Sequence, residues 1–515
     1  MAVPPASRVV LLFRLFYPLL LLLLLSSLLL GAEAIFRNPR AGALRSSKRP
    51  SAFGGRGRNI TRPPLPRSFK IYSYPQPLDH FNFGPDDYDT FRQKFVMNRE
   101  YWAGPNSTSP ILVYLGSEGA LDPRDAGFVI DLCQNLSSLC VFIEHRFYGA
   151  SSPFTSMDDV LENKTIRGFF NPAQALADYV EIILYVKRVF NAPHLPVAVF
   201  GSSYGGLLAA WFRLKYPHIT AMAVASSAPM YYFAKTTDPH AYDEVITEDF
   251  RNVSDHCYQT IRNSWAVIDK VASEPDGLAN LTQKFKTCAQ LNESSQLKGF
   301  LVSMYSYAAQ YDDPPNPPVD LICKGIDDAS KETDDVLDQV SEGMVSYFGN
   351  LTCYDMKHFD APSEINDGWS WQECSELMMH IGQGGNGSLF QGNQPYQLGR
   401  QKRRCMNMFN VSSRPYLITT QYGGRILEFA LKRFGSNIVF TNGLKDPYSP
   451  AGVLEDINES IVAITTEKGS HALDMVTPTA SDPDWLVEQR KKVVQKLQTW
   501  LSQYYTDLGE YLKNK

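Results

Sequence analysis

Apolar positions along the chain fall into three textures. Between residues 90 and 228, short apolar runs at 95–97, 111–115, 141–144, 196–200 and 221–225 predict strands. Residues 173–190 and 204–216 carry apolar side chains at helical spacing, and the second segment starts directly after a strand. Strands alternating with helices predict a mainly parallel sheet. From 235 to 420 that alternation stops. Residues 258–271 and 331–347 read as helices, and 312–318 is a proline-rich break. Strand texture returns at 438–441 and 461–466, and 484–505 predicts a long C-terminal helix. The pattern predicts an α/β core in two parts, 71–235 and 421–515, with a mostly helical insertion at 236–420 placed as a cap. No internal repeat is present.

The first 70 residues have another character. Arg8 and Arg14 precede a nearly pure leucine run from 19 to 30, and Ala32-Glu33-Ala34 supplies a small-x-small cleavage pattern. Residues 1–34 read as a secretory signal peptide. The alternative is a membrane anchor, for which the apolar run is short. Residues 35–70, rich in Gly, Pro, Ser and Arg, read as a basic pro-region or linker. The stretch 35–78 holds ten Arg or Lys and no acid. With the leader's net +1 and the formal total of −5, residues 79–515 carry −16. Such an acidic body repels phosphate, so nucleic acid is excluded as a partner.

A chain of 515 residues with 44% hydrophobic content can build a sizeable core. Its eight cysteines are Cys133, Cys140, Cys257, Cys288, Cys323, Cys353, Cys374 and Cys405. None forms a CxxC pair, so neither zinc nor a redox motif is favoured, and export favours four disulfides. Asn-x-Ser/Thr sequons at Asn59, Asn106, Asn135, Asn163, Asn252, Asn280, Asn292, Asn350, Asn386, Asn410 and Asn458 fit a glycosylated surface.

The sharpest chemical signal is Gly201-Ser202-Ser203-Tyr204-Gly205, a G-x-S-x-G pattern between a predicted strand and a predicted helix. A nucleophilic serine on so tight a turn needs small neighbours, and its hydroxyl projects at a helix N-terminus. The bland alternative is a glycine-rich packing turn. Serine also needs a neutral imidazole and an orienting carboxylate. The chain order Ser, acid, His is met by Asp446, just past the 438–441 strand, and by His471, after the 461–466 strand. Of the nine histidines, His256, His358 and His380 fall in the insertion. Asp474 is a rival acid. The oxyanion donors expected are the N–H groups of Tyr204 and of Ser117, in the loop after the 111–115 strand. Glu118 beside it is a candidate partner for a substrate amine. No metal or other cofactor is called for.

Five motifs together resemble the serine peptidase family of lysosomal Pro-X carboxypeptidase and dipeptidyl peptidase II. They are Gly116-Ser117-Glu118-Gly119, Glu144-His145-Arg146-Phe147-Tyr148-Gly149, Gly201 to Gly206, Asn442 to Ser449 and Gly469 to Asp474. The resemblance covers roughly residues 70–505. It implies an α/β-hydrolase fold with a helical, disulfide-bonded cap, and serine-type exopeptidase action on peptides with proline near the cut end. It also implies an acidic organelle, lysosome or vacuole, with extracellular release as the alternative. The disulfides it suggests are Cys257–Cys323, Cys288–Cys353 and Cys374–Cys405, leaving Cys133–Cys140. Residue 472 is alanine where family members often carry a second histidine, which singles out His471 as the base. Carboxypeptidase and dipeptidyl peptidase action stay open, as does a homodimer. An esterase and a catalytically silent adhesion protein are the competing classes.

Overall fold

A computed structural model describes residues 64–84 and 88–515. The leader, most of the basic stretch and the sequon at Asn59 lie outside the described residues. Strands β1 (Phe69–Pro77), β2 (Thr90–Asn98), β3 (Ile111–Leu115), β4 (Leu139–Ile143), β5 (Val197–Ser202), β6 (Met222–Ser226), β9 (Ile438–Gly443) and β10 (Ile461–Thr466) form one eight-stranded sheet. Its order is β1-β2-β4-β3-β5-β6-β9-β10. From β4 to β10 all neighbours are parallel, whereas β1–β2 and β2–β4 are antiparallel. The fold is α/β-hydrolase.

Strands β3 to β6 are buried along their whole length, which explains their unbroken apolar runs. The antiparallel edge is where the apolar pattern misled. β1 begins at Phe69, two residues before the expected start, and its alternation is too polar to read as a strand. β2 runs on both sides of the short segment 95–97, because its first half is only alternately buried.

Helices cover both faces. The Pro172–Val189 helix starts at Asn171, whose side chain accepts the Gln174 N–H, and Pro172 occupies the first turn, where no N–H is needed. The C-terminal helix Asp484–Lys513 buries Leu486, Val493, Leu497 and Trp500, one stripe at helical spacing.

Between β6 and β9 lies the cap. It contains nine helices of eight or more residues, from Ala241–Val253 to Leu427–Phe434, and one small strand pair, β7 (Gln383–Gly384) with β8 (Asn393–Gln394). Disulfides join Cys257 to Cys323, Cys288 to Cys353, and Cys374 to Cys405 within it, and Cys133 to Cys140 in the core. One continuous buried apolar cluster runs from sheet residues such as Val113 and Val199 to cap residues such as Trp265, Leu301 and Met304. The cap therefore packs as part of the protein interior rather than as a loose lid.

Of the ten described sequon asparagines, nine are exposed, while Asn458 is half-buried. The Asn458 side-chain oxygen Oδ1 also accepts the N–H groups of Ser460 and Ile461, 2.8 Å from each.

Candidate active site

The chain order of the sheet reverses between β3 and β5, so the loops leaving these two strands flank a crevice at the carboxyl end of the sheet. Ser203 follows β5 directly. Its backbone has φ 59° and ψ −125°, a conformation that L residues rarely adopt. The helix Tyr204–Lys215 begins at the next residue. Small neighbours make the turn possible. A Cβ on Gly201 would overlap the Gly205 carbonyl, and one on Gly206 would lie 2.6 Å from the Ser226 oxygen. Ser202 points elsewhere, its Oγ 3.0 Å from the Tyr114 hydroxyl. The Ser203 Oγ is buried and has no hydrogen-bond partner among the described residues.

Asp446 and His471 are brought together from the loops after β9 and β10. His471 Nδ1 lies 2.7 Å from Asp446 Oδ2, and both side chains are only 1% exposed. The other carboxylate oxygen accepts the Tyr448 N–H at 2.9 Å. The two loops are themselves joined, since Leu444 N–H donates to Thr466 O and Lys445 N–H to Gly469 O. A bond to the Asp446 carboxylate fixes the imidazole with Nδ1 as donor, so the proton is absent from Nε2 in the neutral ring. The turn at Ser203 and the His471 loop share neighbours. Ser203 N–H donates to Ser226 O at 2.9 Å, and Ala472 N–H donates to Ser227 Oγ at 2.9 Å.

Asp474 takes a different part. Its carboxylate accepts from Ser226 Oγ at 2.6 Å and from Thr441 Oγ1 at 2.7 Å, which ties the His471 loop to the ends of β6 and β9. Arg490 of the C-terminal helix supports the same loop through the carbonyls of Leu473, Asp474 and Val476.

Ser117 sits in the loop leaving β3, against the start of the Tyr204–Lys215 helix. A Cβ on Gly205 would lie 3.0 Å from Leu115 O and 3.5 Å from Ser117 Cβ. The Tyr204 N–H is the first of that helix. Glu118 is buried in the same loop, near enough that its charge, after burial itself, helps push up the Tyr148 hydroxyl.

Sequence reasoning gave no role to a buried chain of polar groups behind Tyr204. His145 Nδ1 lies 2.6 Å from the Arg146 carbonyl, so it carries the proton there and Nε2 accepts from the Tyr204 hydroxyl at 3.1 Å. The Tyr204 oxygen accepts from Gln372 Nε2 at 3.0 Å, and Gln372 Oε1 accepts from the Tyr148 hydroxyl at 2.7 Å. Every donor meets an acceptor only while His145 is neutral, and burial lowers its pKa to about 4. The signal was present in the Glu144 to Gly149 motif, but Gln372 comes from the cap and no local pattern links it to Tyr204.

The cap covers His471. Gln310 at the end of the Ser294–Gln310 helix accepts the His471 N–H at 2.9 Å, and the Tyr311 ring stands edge-on to the imidazole at 6.1 Å.

The profile of one peptidase family, serine carboxypeptidase S28, matches residues 76–493. The chain belongs to the serine carboxypeptidase S28 family. It is 32% identical over 465 residues to the lysosomal Pro-X carboxypeptidase of Mus musculus, covering 87% of this chain and 92% of that one. The Homo sapiens enzyme of that name is 31% identical with 87% and 91% covered. Thymus-specific serine protease of Homo sapiens is 28% identical, with 83% and 85% covered. Among solved structures, a proline iminopeptidase from Mycobacterium smegmatis aligns with 84% of this chain and 98% of its own, at TM-score 0.35 and 10% identity. As a member of the S28 family, the protein is a serine exopeptidase.

Proposed function

We propose that Ser203, Asp446 and His471 form a catalytic triad that removes the residue after a proline from the carboxyl end of peptides, through an acyl-enzyme. The observation that carries this reading is the 2.7 Å contact of Asp446 with His471 in loops adjoining a serine held at φ 59°. In the first step His471 Nε2 takes the Ser203 proton as Oγ attacks the scissile carbonyl. The oxyanion develops toward the N–H groups of Tyr204 and Ser117. The tetrahedral adduct collapses as the imidazolium gives its proton to the leaving amine, and the prolyl acyl group stays on Ser203. Water, deprotonated by the same imidazole, then releases the acid and restores the serine.

Proline at the cut end is supported by the relatives named Pro-X carboxypeptidase, matched over 87% of this chain. Their lysosomal designation supports an acidic compartment of the secretory pathway for this chain too. The purified protein should release Phe from a peptide ending in Pro-Phe. It should leave a Lys-Pro-type aminoacyl reporter intact. Cleavage of the reporter with the peptide untouched would make it a dipeptidyl peptidase instead.

A further inference from the structure

The cap segment that follows the Ser294–Gln310 helix reaches both loops of the acid–base pair. The Gln310 carbonyl takes the His471 N–H. Gln310 Nε2 donates to the Tyr311 hydroxyl at 3.1 Å, and Tyr311 faces the imidazole. Asp312 Oδ2 pairs with Lys445 Nζ at 2.6 Å, one residue before Asp446. Asp313 accepts the hydroxyl of Ser470, one residue before His471. Asp312 is itself held, since Oδ1 accepts the Val319 N–H at 3.0 Å and starts the Pro318–Ala329 helix.

We propose that Asp312 and Asp313 are positioning residues, which hold Lys445 and Ser470 so that Asp446 and His471 keep their mutual geometry. Three contacts within four consecutive residues, each made to a neighbour or the backbone of the pair, are the basis. This assignment rests on the triad reading above. A buried carboxylate paired with a lysine adds little to stability when both could be apolar, because desolvation offsets the attraction. Its place beside the acid loop is accounted for by orientation. A misplacement of about 1 Å in a catalytic group can cost on the order of a hundred-fold in rate.

The test uses the full chain and the peptide ending in Pro-Phe. Asp313→Ala should lower kcat by about ten-fold or more with KM within about two-fold. Asp313→Asn keeps an acceptor for the Ser470 hydroxyl and should hold kcat within about three-fold of the parent. Lys445→Met strands the buried Asp312 carboxylate and destabilises the fold, so its companion is the double variant Asp312→Leu with Lys445→Met. That double variant should recover the parental Tm while kcat stays about ten-fold down. Parental kcat in Asp313→Ala, failure of Asp313→Asn to rescue it, or full kcat in the double variant would overturn the assignment. A fluorophosphonate adduct on Ser203 of the parent separates the two levels. Without it the triad reading fails, and with it these variants judge the clamp alone.

Discussion

Asp446 Oδ2 faces His471 Nδ1 at 2.7 Å, while its other oxygen is taken by the Tyr448 N–H. An amide at this position would present either a wrong donor to Nδ1 or a wrong donor to Tyr448. Asp446→Asn should therefore lower kcat about 10⁴-fold through the wrong imidazole tautomer. Steady-state kinetics on the Pro-Phe peptide reads this, and a loss below ten-fold would remove Asp446 from its role.

Asp474, three residues past His471, should behave differently. Its two oxygens accept the hydroxyls of Ser226 and Thr441. Asp474→Asn replaces one acceptor by a donor in a buried site, at a cost of about 1–3 kcal/mol in unfolding free energy. Urea unfolding should show that loss while kcat falls far less than in Asp446→Asn. The reverse ranking would make Asp474 the triad acid.

Asp249 gives the stability a pH slope. Burial first, then the Asp312 charge, raise its pKa from 3.8 to about 9, opposed by Lys445. Between those values the folded state holds a proton that the unfolded state has lost, so stability falls as pH rises. His145 works oppositely. Its folded pKa of about 4 lies below the ordinary 6.5, so stability falls as pH drops through that window. The two slopes oppose each other between about 4 and 6.5, and the Asp249 slope, about 1.4 kcal/mol per unit, remains above, where the buried Glu376 carboxyl, also raised by burial, adds in the same direction. Unfolding free energy should thus decline from pH 6.5 to 8.5, and Asp249→Asn should make that decline shallower. An unchanged slope in the variant would show that Asp249 is ionised in the folded protein.

Much of the core was legible because parallel strands buried on both faces are continuous apolar runs. The segment 111–115 coincides with the fully buried β3, and 461–466 with the edge strand β10, where Ile461, Val462 and Ile464 are the buried positions. The turn at Ser203 was legible for a local reason, since a strand, a strained serine and small neighbours occupy six consecutive residues. The antiparallel edge was not, because β1 alternates polar and half-buried side chains such as Lys70, Tyr72 and Tyr74. Contacts across long separations were also hidden. Tyr204 and Gln372 lie 168 positions apart, and Asp312 and Lys445 lie 133 apart. Neither pair has a periodicity that would join its members, so only the folded cap reveals them.

Ser203 is the proposed nucleophile. Ser203 stands at φ 59° with a buried hydroxyl that has no hydrogen-bond partner among the described residues, whereas Ser202 is engaged with Tyr114. The decisive measurement is peptide mapping of the protein after reaction with a fluorophosphonate, beside the turnover of Ser203→Ala. A single adduct on Ser203 and a fall in kcat of about six orders of magnitude are expected. An adduct on Ser202, or a Ser203→Ala variant that still turns over the Pro-Phe peptide at the parental rate, would contradict it.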